Sequence, residues 1–200
     1  MERTASGTHK IAVFCSGLSR GSNLCAIYKY FADNKLPIEI ALVIFTCKDA
    51  PAIQLAEERN LNYQIIQARD MQNFEKRAME LCRQHSIELI ALSGFLKQLS
   101  PNFIERMQFP IFNIHPPLLP TYGGKGLYGM AVHNSVFAAG EKESGVTIHL
   151  VNSQDDNGKI VAQEKVDISA CKSPEEIAQK VLDIEHKLYA RTIKEYLLDH

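Results

Sequence analysis

The chain has 200 residues, 46% of them hydrophobic and 22% charged, with a net charge of −1. That length suits one globular domain with a real core, and the near-neutral balance supplies no basic footprint for nucleic acid or an anionic membrane surface. Small-molecule chemistry is the class that remains.

The first nine residues are polar, lack the apolar core of a signal peptide and read as a disordered leader (1–9). Residues 10–200 show no repeat, low-complexity block or Gly/Ser linker, and no run long enough to span a membrane, so they read as a single domain. β-rich runs at 11–15, 38–45, 62–66 and 88–92 alternate with amphipathic helical stretches. Further strands are expected at 111–114, 145–151 and 159–168. Ser173 as N-cap, Pro174 at the first helical position and Glu176 as its third residue open a long C-terminal helix. This alternation predicts an α/β fold in which a mostly parallel sheet is covered by helices, with ligands at the carboxyl ends of the strands. Five cysteines, Cys15, Cys25, Cys47, Cys82 and Cys171, lack Cys-x-x-Cys spacing. They fit reduced thiols in a cytoplasmic protein rather than a disulfide framework or a zinc site.

Three segments carry candidate chemistry. After the first strand, Ser16-Gly17-Leu18-Ser19-Arg20-Gly21-Ser22-Asn23 leads into a helix and offers N–H groups to an anion, with Ser22 and Asn23 as extra donors. A plain turn capped by Ser22 explains the same residues equally well. In Phe112-Asn113-Ile114-His115-Pro116-Pro117-Leu118-Leu119-Pro120, Asn113 and His115 stand two apart, so an extended segment projects both from one side. Pro116, Pro117 and Pro120 stiffen the loop beyond His115. An amide and an imidazolium fixed there make an oxyanion-stabilising pair. The third segment, Val151-Asn152-Ser153-Gln154-Asp155-Asp156-Asn157-Gly158, is either an ordinary Asx turn or the source of a carboxylate, Asp156, that holds His115 charged. His149 reads as a structural hydrogen-bonder within a strand, and His133 and His186 as helical. No histidine has metal-ligand spacing, and no metal is expected.

Taken in order, Gly-Ser-Asn at 21–23, Leu92-Ser93-Gly94-Phe95 with Leu99-Ser100-Pro101, Asn113-Ile114-His115-Pro116, Leu118-Leu119-Pro120, Gly145-Val146-Thr147-Ile148-His149, the Asp156 loop and Glu185-His186 resemble phosphoribosylglycinamide formyltransferase, the folate-dependent enzyme of purine synthesis. The resemblance implies a Rossmann-like formyltransferase fold with helices on both faces. It implies transfer of a formyl group from 10-formyltetrahydrofolate to the amine of glycinamide ribonucleotide. Asn113, His115 and Asp156 would be catalytic; Gly21, Ser22, Asn23, Gly94, Pro116 and Glu185 would bind the ribonucleotide. Arg69, Leu96, Lys97, Gln98, Leu99, Asn113, Asn152 and Asp155 would hold the folate. The partners implied are small molecules, with the chain a monomer or homodimer, and Leu119-Pro120 is a candidate cis bond.

The sequence departs from the family's common pattern in a first loop longer by two residues. It also has a Gly-rich, Lys-bearing stretch at 122–129, which serves either as a closing loop or as a surface turn. Leu182 stands where relatives place a polar residue near the phosphate, and Met71 where many have an arginine, with Arg69 close enough to substitute. Formyltetrahydrofolate hydrolase, methionyl-tRNA formyltransferase, a formyltransferase for another amine and a non-catalytic folate- or nucleotide-binding module are the rivals. The appended domains that the first two normally carry do not fit in 200 residues.

Overall fold

The computed structural model describes residues 7–16, 20–116, 118, 129–152 and 158–199. Asp155, Asp156, the 119–120 peptide bond and all of the Gly-rich stretch but Gly129 therefore lie outside the described residues. The strands are β1 (His9–Cys15), β2 (Ile38–Phe45), β3 (Tyr63–Ile65), β4 (Leu89–Ser93), β5 (Ile111–His115), β6 (Glu143–Leu150) and β7 (Ile160–Asp167). The helices are α1 (Ser22–Asp33), α2 (Ala52–Glu58), α3 (Met71–Gln84), α4 (Pro101–Arg106), α5 (Met130–Ala138) and α6 (Pro174–Leu198). Among the described residues the strands form one sheet in the order β3-β2-β1-β4-β5-β6-β7. Pairing is parallel from β3 through β5 and antiparallel from β5 to β7.

Near-continuous apolar strands are what a sheet buried on both faces requires. In β1, Ile11, Val13 and Cys15 join a core with Leu24 and Ile27 of α1 and Val181 and Leu188 of α6. Ala12 and Phe14 point the other way, into a second core with Phe74 of α3 and Phe103 of α4. Helices thus cover both faces, as the sequence predicts. No helix among the described residues is long and apolar enough to cross a membrane.

Two local readings change. β1 begins at His9, drawing the end of the expected leader into the sheet. His9 pairs with Ile38, its Nδ1 lies 2.9 Å from Glu88 Oε2, and Lys10 N–H donates to Glu88 Oε1 at 3.1 Å. The N-cap of α1 is Gly21, not Ser22, and it makes no side-chain cap bond. Gly21 has φ 77°, and an added Cβ would come within 2.7 Å of Ala52 Cβ, so both backbone and packing demand glycine there. At α6 the expected cap forms: Ser173 Oγ accepts from Glu176 N–H at 3.3 Å while Glu176 Oε2 accepts from Lys172 N–H at 2.7 Å.

The strand order reverses between β1 and β4, which opens a crevice at their carboxyl ends. Asn23, Asn113, His115 and Glu185 gather there.

Candidate active site

A cleft of about 510 Å³ lies where β1, β4 and β5 end, bounded by Ser16, Gly94 and Pro116, the residues that come directly after those strands. Asn113 and His115 occupy alternate positions of β5, and both line it. His115 is 5% exposed, so its imidazole works largely shielded from water.

The orientation of Asn113 comes from the antiparallel neighbour. β6 pairs so that His149 stands opposite Asn113, with His149 Nε2 3.1 Å from Asn113 Nδ2 and His149 Nδ1 3.3 Å from the Leu150 carbonyl oxygen. A carboxamide nitrogen only donates and a carbonyl oxygen only accepts, so these two contacts match the tautomer with Nε2 as acceptor and the proton on Nδ1. One amide hydrogen of Asn113 is thereby committed and the plane of the group is set, while the second hydrogen is left to point elsewhere.

The helices add further buried polar groups. Asn23 of α1 donates through Nδ2 to Glu185 Oε2 of α6 at 2.9 Å, and both residues line the cleft. Burial pushes the Glu185 carboxyl above its ordinary pKa, and the bond from Asn23 partly opposes that rise. The other end of the same amide, Asn23 Oδ1, is buried without a hydrogen-bond partner among the described residues. His133 of α5 is 5% exposed and also lines the cleft, its Nδ1 lacks a partner among the described residues, and burial lowers its pKa. Cys15, fully buried below, is pushed up to about 12 by burial and is no nucleophile.

Residues 9–193 match the family model described as formyl transferase. The chain belongs to the formyl transferase family. The phosphoribosylglycinamide formyltransferase of Bacillus subtilis is 34% identical over 191 residues, covering 94% of this chain and 94% of the relative. The chloroplastic enzyme of that name from Arabidopsis thaliana is also 34% identical, over 92% of this chain, which spans only 64% of that relative's length. Among solved structures, the phosphoribosylglycinamide formyltransferase of Anaplasma phagocytophilum superposes with TM-score 0.84 at 29% identity, over 95% of this chain and 87% of that one. Glycinamide ribonucleotide transformylase 1 of Geobacillus kaustophilus gives TM-score 0.85 at 28% identity, over 95% and 99% of the two chains.

Within this formyl transferase fold the expected site residues divide. Asn113, His115, Pro116, Asn23, Gly94, Leu96 and Glu185 meet in the one cleft, and so does Leu182. Gly21 is buried under α2 and Ser22 lies partly buried in the first turn of α1; neither lines the cleft. Asn23, expected as a phosphate donor, gives one amide hydrogen to Glu185, and that bond leaves the second hydrogen of the group uncommitted. Arg69 and Lys97 line a neighbouring depression of about 300 Å³ together with Lys48. Gln98 and Asn152 are exposed, and the Leu99 side chain is core, packed with Phe103 and Phe95, so it forms no wall of the cleft. His133 is the residue that sequence reading missed. The one signal for it is its place beside Val132 on the stripe of α5 that Val136 continues, and such a stripe predicts burial without saying what is buried against it.

Proposed function

We propose that this chain transfers a formyl group from 10-formyltetrahydrofolate to the amine of glycinamide ribonucleotide, releasing tetrahydrofolate. The observation that carries this reading is the pair on β5: Asn113, oriented by His149, beside the buried His115 at the end of a cleft large enough for small-molecule substrates. The curated relatives named for this activity support it, as does the acid–amide pair Glu185–Asn23 at the same cleft.

The chemistry rests on charge placement. The substrate amine attacks the formyl carbon, its lone pair forming the new C–N bond while the carbonyl π pair moves onto oxygen. The remaining N–H of Asn113 and the imidazolium N–H of His115 stabilise that oxyanion. The attacking nitrogen passes a proton through water to Asp156, the oxyanion pair reforms the carbonyl, and the C–N10 bond breaks with its electron pair on N10 as that nitrogen takes a proton from His115, which the relayed amine proton restores. Asp156, whose placement lies outside the described residues, is assigned the carboxylate that keeps His115 protonated near neutral pH. Phe95, Leu96 and Ile114 line the cleft with apolar surface suited to a flat pterin ring, and Glu185 is assigned the ribose hydroxyls of the acceptor. The cationic depression formed by Lys48, Arg69 and Lys97 suits the folate's carboxylate tail.

A spectrophotometric assay for folate product from a 10-formylfolate donor, run with and without glycinamide ribonucleotide, tests this. Acceptor-dependent turnover is the expected result. Formate release without acceptor would make the chain a hydrolase, and folate binding without turnover would make it a binding module or an enzyme for another amine.

A further inference from the structure

We propose that Tyr189 is a positioning residue for formyl transfer: its hydroxyl, seated between the carbonyl oxygens of Leu92 and Phe112, fixes the carboxyl ends of β4 and β5 against each other and so places Asn113 and Gly94. The hydroxyl oxygen lies 2.9 Å from Leu92 O and 3.0 Å from Phe112 O. Those carbonyls belong to the residues immediately before Ser93-Gly94 and immediately before Asn113. A phenol has one proton to donate, so the two acceptors share it, and each holds the other at the distance that the sharing permits. The ring is fully buried and cannot tilt away.

The position within the sheet gives this contact its meaning. Register between β4 and β5 runs from Ile90↔Ile111 to Leu92↔Asn113 and ends there. Beyond it Gly94 turns away with φ 61°, whereas β5 continues to His115 along β6, opposite Thr147. The two strands therefore part at the level of Asn113, where a small relative shift is no longer resisted by a further backbone pair. His149 holds the Asn113 side chain from the β6 side. Tyr189 holds its backbone from the β4 side.

The helix that delivers the hydroxyl also lines the cleft. Ala178, Leu182 and Glu185 line the cleft, and Tyr189 comes one turn after Glu185 on the same face of α6. Thr192 satisfies its buried hydroxyl on its own helix by donating to Leu188 O at 2.8 Å, whereas the Tyr189 hydroxyl, carried outward by its ring, reaches the sheet. Tyr189 instead spans two strands. Burial raises its pKa well above the ordinary tyrosine value, which keeps the proton available for sharing.

This role rests on the formyl-transfer reading, and its test separates the two. Tyr189→Phe removes one oxygen from a ring that stays in place. In the folate assay the variant should lose about tenfold or more in kcat, in line with the cost of a small misplacement at a reacting centre. KM for the acceptor and Kd for the folate donor should stay within about twofold, the mark of lost positioning rather than lost binding. Thr192→Val, which deletes a buried hydroxyl from the same helix without touching a strand, controls for stability and should keep wild-type kcat at temperatures below both melting transitions. In 15N-labelled protein the Asn113 side-chain amide signals, assigned through Asn113→Asp, should shift in Tyr189→Phe and stay put in Thr192→Val. A kcat within about twofold of wild type, a loss confined to KM, or an equal loss in Thr192→Val would each overturn the proposal. Should the wild-type chain itself show no turnover, the formyl-transfer reading fails alone, and the amide signals decide: unmoved signals sink the assignment to Tyr189, and shifted ones sustain it as the brace of Asn113.

Discussion

Two clefts of comparable size lie at opposite ends of the sheet. The one at the carboxyl ends holds about 510 Å³, and the one bordered by Tyr28, Phe31, Leu36, Ile38 and Asn60, near the start of β2, holds about 410 Å³. The first gathers Ser16, Asn23, His115, His133 and Glu185, all buried polar side chains, while among the described residues that line the second there is none. Room is therefore common to both, and desolvated polar groups belong to one. Burying such groups costs stability unless they are paired, so their concentration at a single strand-end crevice marks it as the candidate site.

The contrast is sharpest at His115. His115→Ala should lower kcat by about 10³-fold while folate binding persists, measured by initial rates and by titration of the donor. An unchanged rate would remove His115 from the mechanism. Asn113→Ala should cost roughly 10²-fold in kcat, the scale of a lost oxyanion donor, in the same assay. Glu185→Gln should raise the acceptor KM by about tenfold or more and leave kcat nearly intact.

Glu185 also predicts a pH signature. Because burial raises its pKa, the folded carboxyl keeps its proton at pH values where the unfolded one has lost it. Its contribution to stability is fully present below the ordinary carboxylate pKa and is lost as pH rises through the folded value. Melting curves should show Glu185→Gln matching wild type in acid and gaining on it across that window. A difference that stays constant with pH would show that the carboxyl titrates alike in both states. At the opposite end of the sheet the smallest effect is expected. Lys35, which lines the second cleft, has φ 48°, so Lys35→Gly should stabilise by up to about 1 kcal/mol and leave turnover unchanged. A change in kcat there would break the division between the two clefts.

What the sequence discloses depends on how local the cause is. The apolar run at 11–15 and the Ser173-Pro174-Glu176 cap are written within a few residues and fold as a buried strand and a helix start where expected. Asn113 and His115 are legible because a two-residue spacing in a strand is itself a statement about sides. Gly21 reads as a loop residue before a Ser22 cap and proves to be the cap itself, since the Ala52 contact that excludes a side chain comes from another helix. The tie from His149 to Asn113 is invisible for a similar reason: it needs the antiparallel register of β6 on β5, which no local pattern encodes. The resemblance assigns Leu99 to the folate without separating side chain from backbone, and it is the fold that sends the side chain into the core.

The bond between Asn23 and Glu185 joins residues 162 positions apart. During synthesis at about 5–20 residues per second, the first strand–helix unit is exposed for many seconds before α6 is made. The cleft acquires the wall formed by Ala178, Leu182 and Glu185 only when that last helix docks against α1. A nascent chain can thus carry Asn113 and His115 on a formed β5 and still lack the wall that completes their pocket, so the order of translation itself delays the finished cleft until α6 has docked.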